Sequence, residues 1–204
     1  MARLAGSHGE TTAKAIRDRS LALFARHGYA AVSMRMIAGA VGVQPGALYQ
    51  YHSNKQQLLV DLMRGHMEAL LRAWNEEKLV SESPAQALKR FARFHIRYHI
   101  TRPDDVFISY MELRALERDG FNTIEALRNS YEGALKAILE AGVASGAFKS
   151  DDPHVSTMAI LAMLTGVNTW YRSGGRLSQQ KIEDIYAAMV ARSVGCELEG
   201  DSDV

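Results

Sequence analysis

The chain has 204 residues, a formal net charge of +1 and 47% hydrophobic residues, which predicts a globular protein with a sizeable core. A single cysteine, Cys196, excludes a disulfide-stapled fold, fits a reducing compartment and is interpreted as a passive thiol. Residues 1–20 lack the apolar core of a signal peptide and the most apolar run, Met158–Val167, is too short to span a membrane, so we expect a cytoplasmic protein without membrane partners.

Charge is distributed unevenly along the chain. Residues 1–60 carry seven basic and two acidic side chains, whereas the other 144 residues carry 17 basic and 21 acidic ones. A basic N-terminal segment followed by a more acidic remainder is typical of a nucleic-acid-binding module joined to a domain with a second function. Uneven surface solvation explains the charges equally well, so charge alone leaves both interpretations open.

Apolar residues recur at helical spacing from the N-terminus onward. Gly28 and Gly42 are expected to end helices, Ser33 and Ser53 to cap the helices that follow them, and Pro45 to occupy a first turn. The first four helices are predicted at Glu10–His27, Met34–Ala40, Pro45–Tyr51 and Asn54–Glu77.

The second half of the chain continues the helical pattern, interrupted by the breakers "TRPDD", "RDGF", "GAFKSDDP" and "SGGRLS". Five helices are predicted there, at Pro84–Ile100, Asp104–Arg118, Phe121–Ser145, Pro153–Ser173 and Ser178–Val194. The fold class is therefore all-α with about nine helices. We expect a DNA-binding domain over residues 1–53, a helical ligand-binding and dimerisation domain over 54–196, and an acidic, disordered tail over 197–204.

Two short helices joined by a tight turn at Gly42 form a helix-turn-helix pattern. In such a motif the second helix enters the major groove of DNA, while flanking side chains contact phosphates. An ordinary helical hairpin is the alternative. The candidate DNA-binding residues are Ser33, Arg35, Gln44, Pro45, Gly46, Tyr49, Gln50, Tyr51, His52 and Lys55.

The stretch Ile16–Leu58, "IRDRSLALFARHGYAAVSMRMIAGAVGVQPGALYQYHSNKQQL", resembles the N-terminal domain of the TetR/AcrR family of bacterial transcriptional regulators. The resemblance implies an all-helical homodimer that binds double-stranded DNA, with the rest of the chain forming a divergent ligand-binding and dimerisation domain. It departs from the family pattern at His52, where Phe is common, and at Gln44, where Ser or Thr is common. Repression is the mode of regulation that the resemblance implies.

The last two predicted helices carry apolar faces that are candidates for the dimer interface. The alternative is that these residues only complete the core of one protomer. The residues concerned are Ile160, Leu164, Ile182, Ile185, Met189 and Val190.

Two segments, "FISYMELRAL" and "NTWYRSGGRLS", resemble a subgroup of the family whose inducers are acyl-CoA thioesters. Such a ligand needs cations for its phosphates, an aromatic face for adenine and an apolar tunnel for the acyl chain. Arg172 and Arg176 are candidates for the phosphates, and Trp170 or Tyr171 for the stacking. Candidates for the tunnel are Phe94, Tyr98, Phe107, Tyr110, Met111, Met158 and Met163. Another apolar small molecule, or no ligand at all, remains an alternative.

His95 and His99 have a spacing that suits a metal ion, but the sequence pattern offers no third ligand, so we prefer two core histidines. The chain lacks a Gly-rich phosphate loop and a nucleophile elbow, and we expect neither an enzyme nor a cofactor. A helical acyl-CoA-binding protein, or an enzyme without sequence-specific DNA binding, is the rival hypothesis.

Overall fold

A computed structural model describes residues 5–196 of the chain. Within that range the structure consists of helices and their connections, without a strand, which confirms the all-α prediction. The α-helices are α1 (Ala5–His27), α2 (Met34–Val41), α3 (Pro45–Leu48), α4 (Lys55–Glu77), α5 (Pro84–Ile100), α6 (Pro103–Met111), α7 (Arg118–Ala144), α8 (Pro153–Thr165), α9 (Val167–Trp170) and α10 (Gln179–Ser193).

Most predicted helices are present with small shifts of their ends. α5 has the predicted bounds, whereas α1 begins at Ala5, before the predicted Glu10. The helix predicted at Pro153–Ser173 is divided at Gly166 into α8 and α9 and ends at Trp170. With α8 and α9 counted together, the described residues contain the nine α-helices expected.

The prediction for residues 104–121 was wrong in detail. α6 ends at Met111, and a single 3₁₀ turn, Leu113–Ala115, connects it to α7. Gly120, expected to break the chain, lies inside α7, where a Cβ atom would stand 2.6 Å from Cγ2 of Val60. This glycine therefore allows close packing of α7 on α4 instead of ending a helix.

The described chain divides into two compact units by its internal contacts. The first unit comprises the residues up to 68 together with 104–127, and the second comprises 69–103 together with the described residues from 128 on. α4 and α7 each contribute residues to both units. The proposed functional boundary at residues 53 and 54 remains a prediction, because compactness does not test function.

The first unit has one hydrophobic core, which fixes α2 and α3. Phe24 of α1, Ile37 of α2, Leu48 of α3 and Leu59 of α4 are fully buried in it, and Ile124 of α7 joins them. Burial of such a side chain contributes roughly 1.5–3 kcal/mol. The helix-turn-helix segment is therefore supported by residues from both parts of the first unit.

The second unit packs α5 against α10 around aromatic residues. The Trp74 ring meets the Phe91 ring edge-on at 5.0 Å between centroids. Four of the six residues proposed for a dimer interface, Ile160, Leu164, Ile182 and Val190, are buried in the core, so for them the alternative interpretation is correct. Ile185 and Met189 remain exposed, at 36% and 39%.

Cys196 is buried at the end of the described range, and the tail predicted for 197–204 lies outside the described residues. None of the helices between residues 5 and 196 has the length and apolarity required to cross a membrane.

Candidate functional site

The helix-turn-helix is defined by local capping interactions. The Ser33 hydroxyl accepts a hydrogen bond from the backbone N–H of Met36 and so caps the start of α2. Gly42 ends α2 in the left-handed conformation, with φ of 80°, and its N–H donates to the carbonyl of Ala38 at 2.9 Å. Pro45 then opens α3 in its first turn, where a missing N–H is not costly.

α3 is shorter than predicted but its backbone direction continues beyond Leu48. The helix was expected to reach Tyr51, whereas its regular part ends at Leu48. The N–H groups of Tyr51 and His52 both donate to the Leu48 carbonyl at 3.0 Å. Residues 49–52 therefore form a tight terminal turn, in which i→i+3 hydrogen bonds replace part of the α-helical pattern.

The outward face of this segment is polar and aromatic. With Leu48 turned into the core, the Tyr49 side chain is 54% exposed and Tyr51 is also exposed. Hydroxyl and amide groups here match the donors and acceptors that base edges and phosphates present. The predicted DNA-binding residues that lie exposed are Ser33, Arg35, Gln44, Gly46, Tyr49, Gln50 and Tyr51, and those that are half-buried are Pro45, His52 and Lys55.

His52 and Lys55 make internal contacts that the sequence analysis missed. His52 Nδ1 lies 3.1 Å from Asp61 Oδ2. Lys55 Nζ donates to the carbonyls of Tyr29 and Val32 at 2.9 and 2.8 Å and lies 4.1 Å from the centre of the Tyr29 ring. Lys55 thus fixes the turn after α1 to the first turn of α4, in addition to any contact with phosphate.

The tunnel candidates belong to both compact units. In the second unit, the buried Phe94 and Tyr98 rings lie 5.6 Å apart between centroids. Phe107, Tyr110 and Met111 belong to the first unit and lie exposed on α6. The half-buried Met158 and Met163 lie on α8, and the role of all seven residues in lining a tunnel stays a prediction.

A groove of about 400 Å³ in the second unit runs beside Phe94 and Tyr98. Arg97 and Arg102 line it as well, and the Arg102 guanidinium lies 4.0 Å from the centre of the Tyr98 ring. Arg97 bonds the carboxylate of Glu77, so its charge is already balanced. The groove offers a ligand both aromatic surface and a cation.

The segment after α9 presents an exposed aromatic ring and two exposed cations. Trp170, which ends α9, is 49% exposed and stacks on Tyr186 at 6.4 Å between ring centroids. The guanidinium of Arg172 folds back to donate to the Tyr171 carbonyl at 2.7 Å. Arg176 is exposed, and Tyr171 is half-buried. Stacking and phosphate binding are both chemically available here.

The histidine pair is part of the core, as preferred above. His95 Nδ1 lies 3.2 Å from the Tyr131 hydroxyl, and its Nε2 lies 3.1 Å from that of Thr165. His99 Nδ1 donates to the His95 carbonyl at 2.8 Å, and the two rings stack at 4.0 Å. Across the described residues, no group of three metal-binding side chains is present.

The pKa of His99 is lowered from 6.5 to about 4, chiefly by burial. The hydrogen bond to the His95 backbone opposes this shift, and the nearby positive charge of Arg102 adds to it. The unfolded chain therefore binds a proton at a pH where the folded chain does not, and stability falls as the pH drops from 6.5 towards 4. We expect the free energy of unfolding to be about 2 kcal/mol lower at pH 5 than at pH 8 from this residue.

Urea unfolding at the two pH values measures this difference. A His99→Asn variant is the matched control, because asparagine keeps a donor for the His95 carbonyl and does not titrate. The variant should lose the part of the pH dependence of stability that His99 contributes. An unchanged difference in the variant would show that other groups cause it.

Known proteins match both halves of the chain. Residues 16–62 match the family described as "Bacterial regulatory proteins, tetR family", and residues 81–194 match "Tetracyclin repressor-like, C-terminal domain". The transcriptional repressor KstR2 of Mycolicibacterium smegmatis is 27% identical over 183 residues, which are 88% of each chain.

Solved structures agree with this result. A regulatory protein of the tetR family from Rhodococcus RHA1 superimposes with a TM-score of 0.86 and 26% identity, covering 92% of this chain and 98% of that chain. AibR, solved in complex with isovaleryl coenzyme A and operator DNA, has a TM-score of 0.79 and 26% identity, covering 89% of this chain and 97% of that chain.

Proposed function

Because this chain belongs to the TetR family of DNA-binding transcriptional regulators, we propose that it is a repressor that binds a palindromic operator as a homodimer. We further propose that an acyl-CoA thioester acts as its inducer. Such a regulator acts in the cytoplasm, where bacterial DNA is found. The members of the family are regulators rather than enzymes, and we propose no catalytic role.

The observation that carries the DNA-binding proposal is the exposed face of residues 44–51. Leu48 is fully buried while Gln44, Tyr49 and Gln50 around it are exposed. A helix anchored on one side presents its other side to the major groove at a fixed angle. Arg35 on α2 supplies a positive charge for a neighbouring phosphate.

The dimer proposal rests on exposed apolar side chains on two helices of the second unit. Val155 of α8 and Ile185 and Met189 of α10 are exposed to between 36% and 61%. We propose a second copy of the chain as the partner, because a two-fold axis pairs the same apolar surface with itself. The same axis gives the two reading helices a palindromic target.

The effector proposal rests on the segment around Trp170. An exposed indole, followed in the sequence by the exposed Arg172 and Arg176, suits the adenine and phosphates of coenzyme A, and the groove beside Phe94 and Tyr98 offers apolar surface. A relative, AibR, was solved with isovaleryl coenzyme A, which makes a thioester of this class a reasonable effector to test here. The alternative is a different apolar effector.

Selection from random DNA tests the regulator. We expect a palindromic sequence to be enriched, and its affinity to fall steeply as salt rises, because bound phosphates release their counterions. A protein that binds acyl-CoA without reading DNA would enrich no sequence. That outcome would contradict the proposed function and favour the rival hypothesis.

Thermal unfolding with a panel of ligands tests the effector. A ligand that binds the folded protein raises the melting temperature by mass action. We expect acyl-CoA thioesters to raise it more than free coenzyme A or free fatty acids do. An Arg172→Gln, Arg176→Gln double variant should reduce the shift, whereas Arg72→Gln, which removes an exposed cation elsewhere in the second unit, should not. A panel without any response to thioesters would contradict this class of effector.

A further inference from the structure

Three segments of the first unit meet around Tyr29, which follows α1. The Tyr29 N–H donates to Glu112 Oε1 at 2.9 Å, although the two residues are 83 positions apart. Lys55 and Gln56 open α4 beside the same turn. We call these four residues, Tyr29, Lys55, Gln56 and Glu112, the polar junction.

Gly28 turns the chain towards Glu112. Its φ of +79° lies in the left-handed region, where a side chain would be strained, and a Cβ atom would stand 3.4 Å from Glu112 Oε1. The Gly28 N–H donates to the Phe24 carbonyl at 2.9 Å and ends α1. The next N–H, that of Tyr29, has turned away from the helix and finds its acceptor in the carboxylate of Glu112.

Gln56 makes a second attachment to the same connecting segment. Its Nε2 donates to the Ala115 carbonyl at 2.6 Å, and its Oε1 accepts from the Glu117 N–H at 3.3 Å. One amide side chain therefore holds both the 3₁₀ turn and the residue that precedes α7. The primary amide of glutamine supplies a donor and an acceptor on separate atoms at once.

Lys55 adds a third set of contacts to those made by Glu112 and Gln56. Its ammonium group bonds the carbonyls of Tyr29 and Val32, and it lies over the Tyr29 ring. Val32 directly precedes Ser33, the cap of α2. The junction thus fixes the chain immediately before α2 and at the start of α4.

These contacts bracket the helix-turn-helix. Residues 33–54 hold both helices of the motif, α2 and α3, and the two ends of this segment are attached, through Tyr29 and Gln56, to residues 112–117. A segment fixed at both ends keeps its orientation, and orientation errors of about an ångström weaken recognition that depends on directed hydrogen bonds. Residues 112–117 lie far from the motif in sequence, and the sequence pattern related residues 107–116 to an effector and not to DNA.

We propose that Glu112 and Gln56 are positioning residues for DNA recognition. In this proposal, residues 112–117 hold α2 and α3 in the orientation that fits the operator. This inference rests on the proposed function. It assigns a role in DNA recognition to a segment that carries none of the predicted DNA-binding residues.

The test compares Glu112→Ala with Glu112→Gln and the wild type. For each full-length protein, the affinity for the selected operator and for a scrambled duplex is measured at one salt concentration, together with the melting temperature. We expect Glu112→Ala to bind the operator about tenfold more weakly and the scrambled duplex equally well, because orientation affects specific contacts most. Glu112→Gln keeps an oxygen acceptor for the Tyr29 N–H and should restore most of the operator affinity.

Gln56→Ala provides an independent variant if Glu112→Ala does not fold, and it should show the same loss of discrimination. Equal discrimination by the wild type and both alanine variants would overturn the inference while leaving the proposed function intact. A lower melting temperature with unchanged discrimination would also overturn it, because that result describes a purely structural role. A wild type that does not discriminate would contradict the proposed function itself, and the inference with it.

Discussion

Replacement of Tyr49 by alanine is expected to weaken operator binding by about 10- to 100-fold, a loss of roughly 1–3 kcal/mol. Tyr49 directly follows α3 as its C-cap residue, and more than half of its surface is exposed. Its removal therefore takes away a contact to DNA without opening a cavity in the core. Fluorescence anisotropy with the selected operator at fixed salt measures the change.

Tyr110→Ala is the matched control, because it removes an exposed tyrosine from α6 of the same compact unit. It should leave operator affinity within about twofold of the wild type, and both variants should keep the wild-type melting temperature. Equal affinities of Tyr49→Ala and the wild type would show that α3 does not read the operator through this residue.

Lys55→Ala is a less specific test of DNA contact. The lysine holds two backbone carbonyls of the turn after α1, so its loss should lower stability as well as DNA affinity. A combined effect of this kind would not separate a phosphate contact from support of the turn. Tyr49 is free of that ambiguity because it is an exposed residue at the end of its helix.

Replacement of Gly142 by alanine is expected to lower the free energy of unfolding by about 3 kcal/mol. Gly142 is buried in α7, and a Cβ atom there would stand 1.8 Å from Cδ2 of Phe148 and 2.5 Å from its Cγ. Rotation of the ring about the Cβ–Cγ bond leaves Cγ in place and does not relieve the overlap, so the whole Phe148 side chain or the backbone must move. The melting temperature should fall by on the order of 10 °C in a protein of this size.

Gly133→Ala tests the same change in the same helix without the overlap. Gly133 is exposed, and a Cβ atom there meets no atom within 4 Å. Alanine should stabilise α7 by about 0.5–1 kcal/mol, since it lowers the entropy of the unfolded chain. Thermal unfolding at equal protein concentration measures both variants, and a Gly142→Ala protein as stable as Gly133→Ala would contradict the packing seen here.

The sequence correctly predicted the helix caps and helix ends that depend on neighbouring residues. The α2 cap at Ser33, the stop at Gly42 and the start of α3 at Pro45 were confirmed because each depends on neighbours within a few residues. Helical spacing also accounts for the buried side of the motif, where Ile37 and Leu48 lie in the core. The exposed face that remains is the predicted DNA-binding surface.

The sequence could not predict features that depend on distant partners. The sequence predicts Gly120 as a helix breaker, because only the structure shows that Val60 packs against it. The sequence predicts Lys55 as a phosphate ligand, whereas the structure shows that its ammonium group also bonds a backbone carbonyl of the turn after α1. The four core residues on α8 and α10 could not be told from interface residues, because an apolar stripe does not reveal what covers it.

The composition of the first compact unit bears on how such regulators can be recombined. Ile108 and Ile124 are fully buried in the core beneath the reading helices, yet they come from a segment that begins 36 residues after position 68. A chimaera that joins residues 1–68 to a foreign sensor would lose both side chains, leaving cavities that cost several kcal/mol. The DNA-reading module is therefore discontinuous in the gene, and a transplant that keeps its specificity has to carry residues 104–127 along.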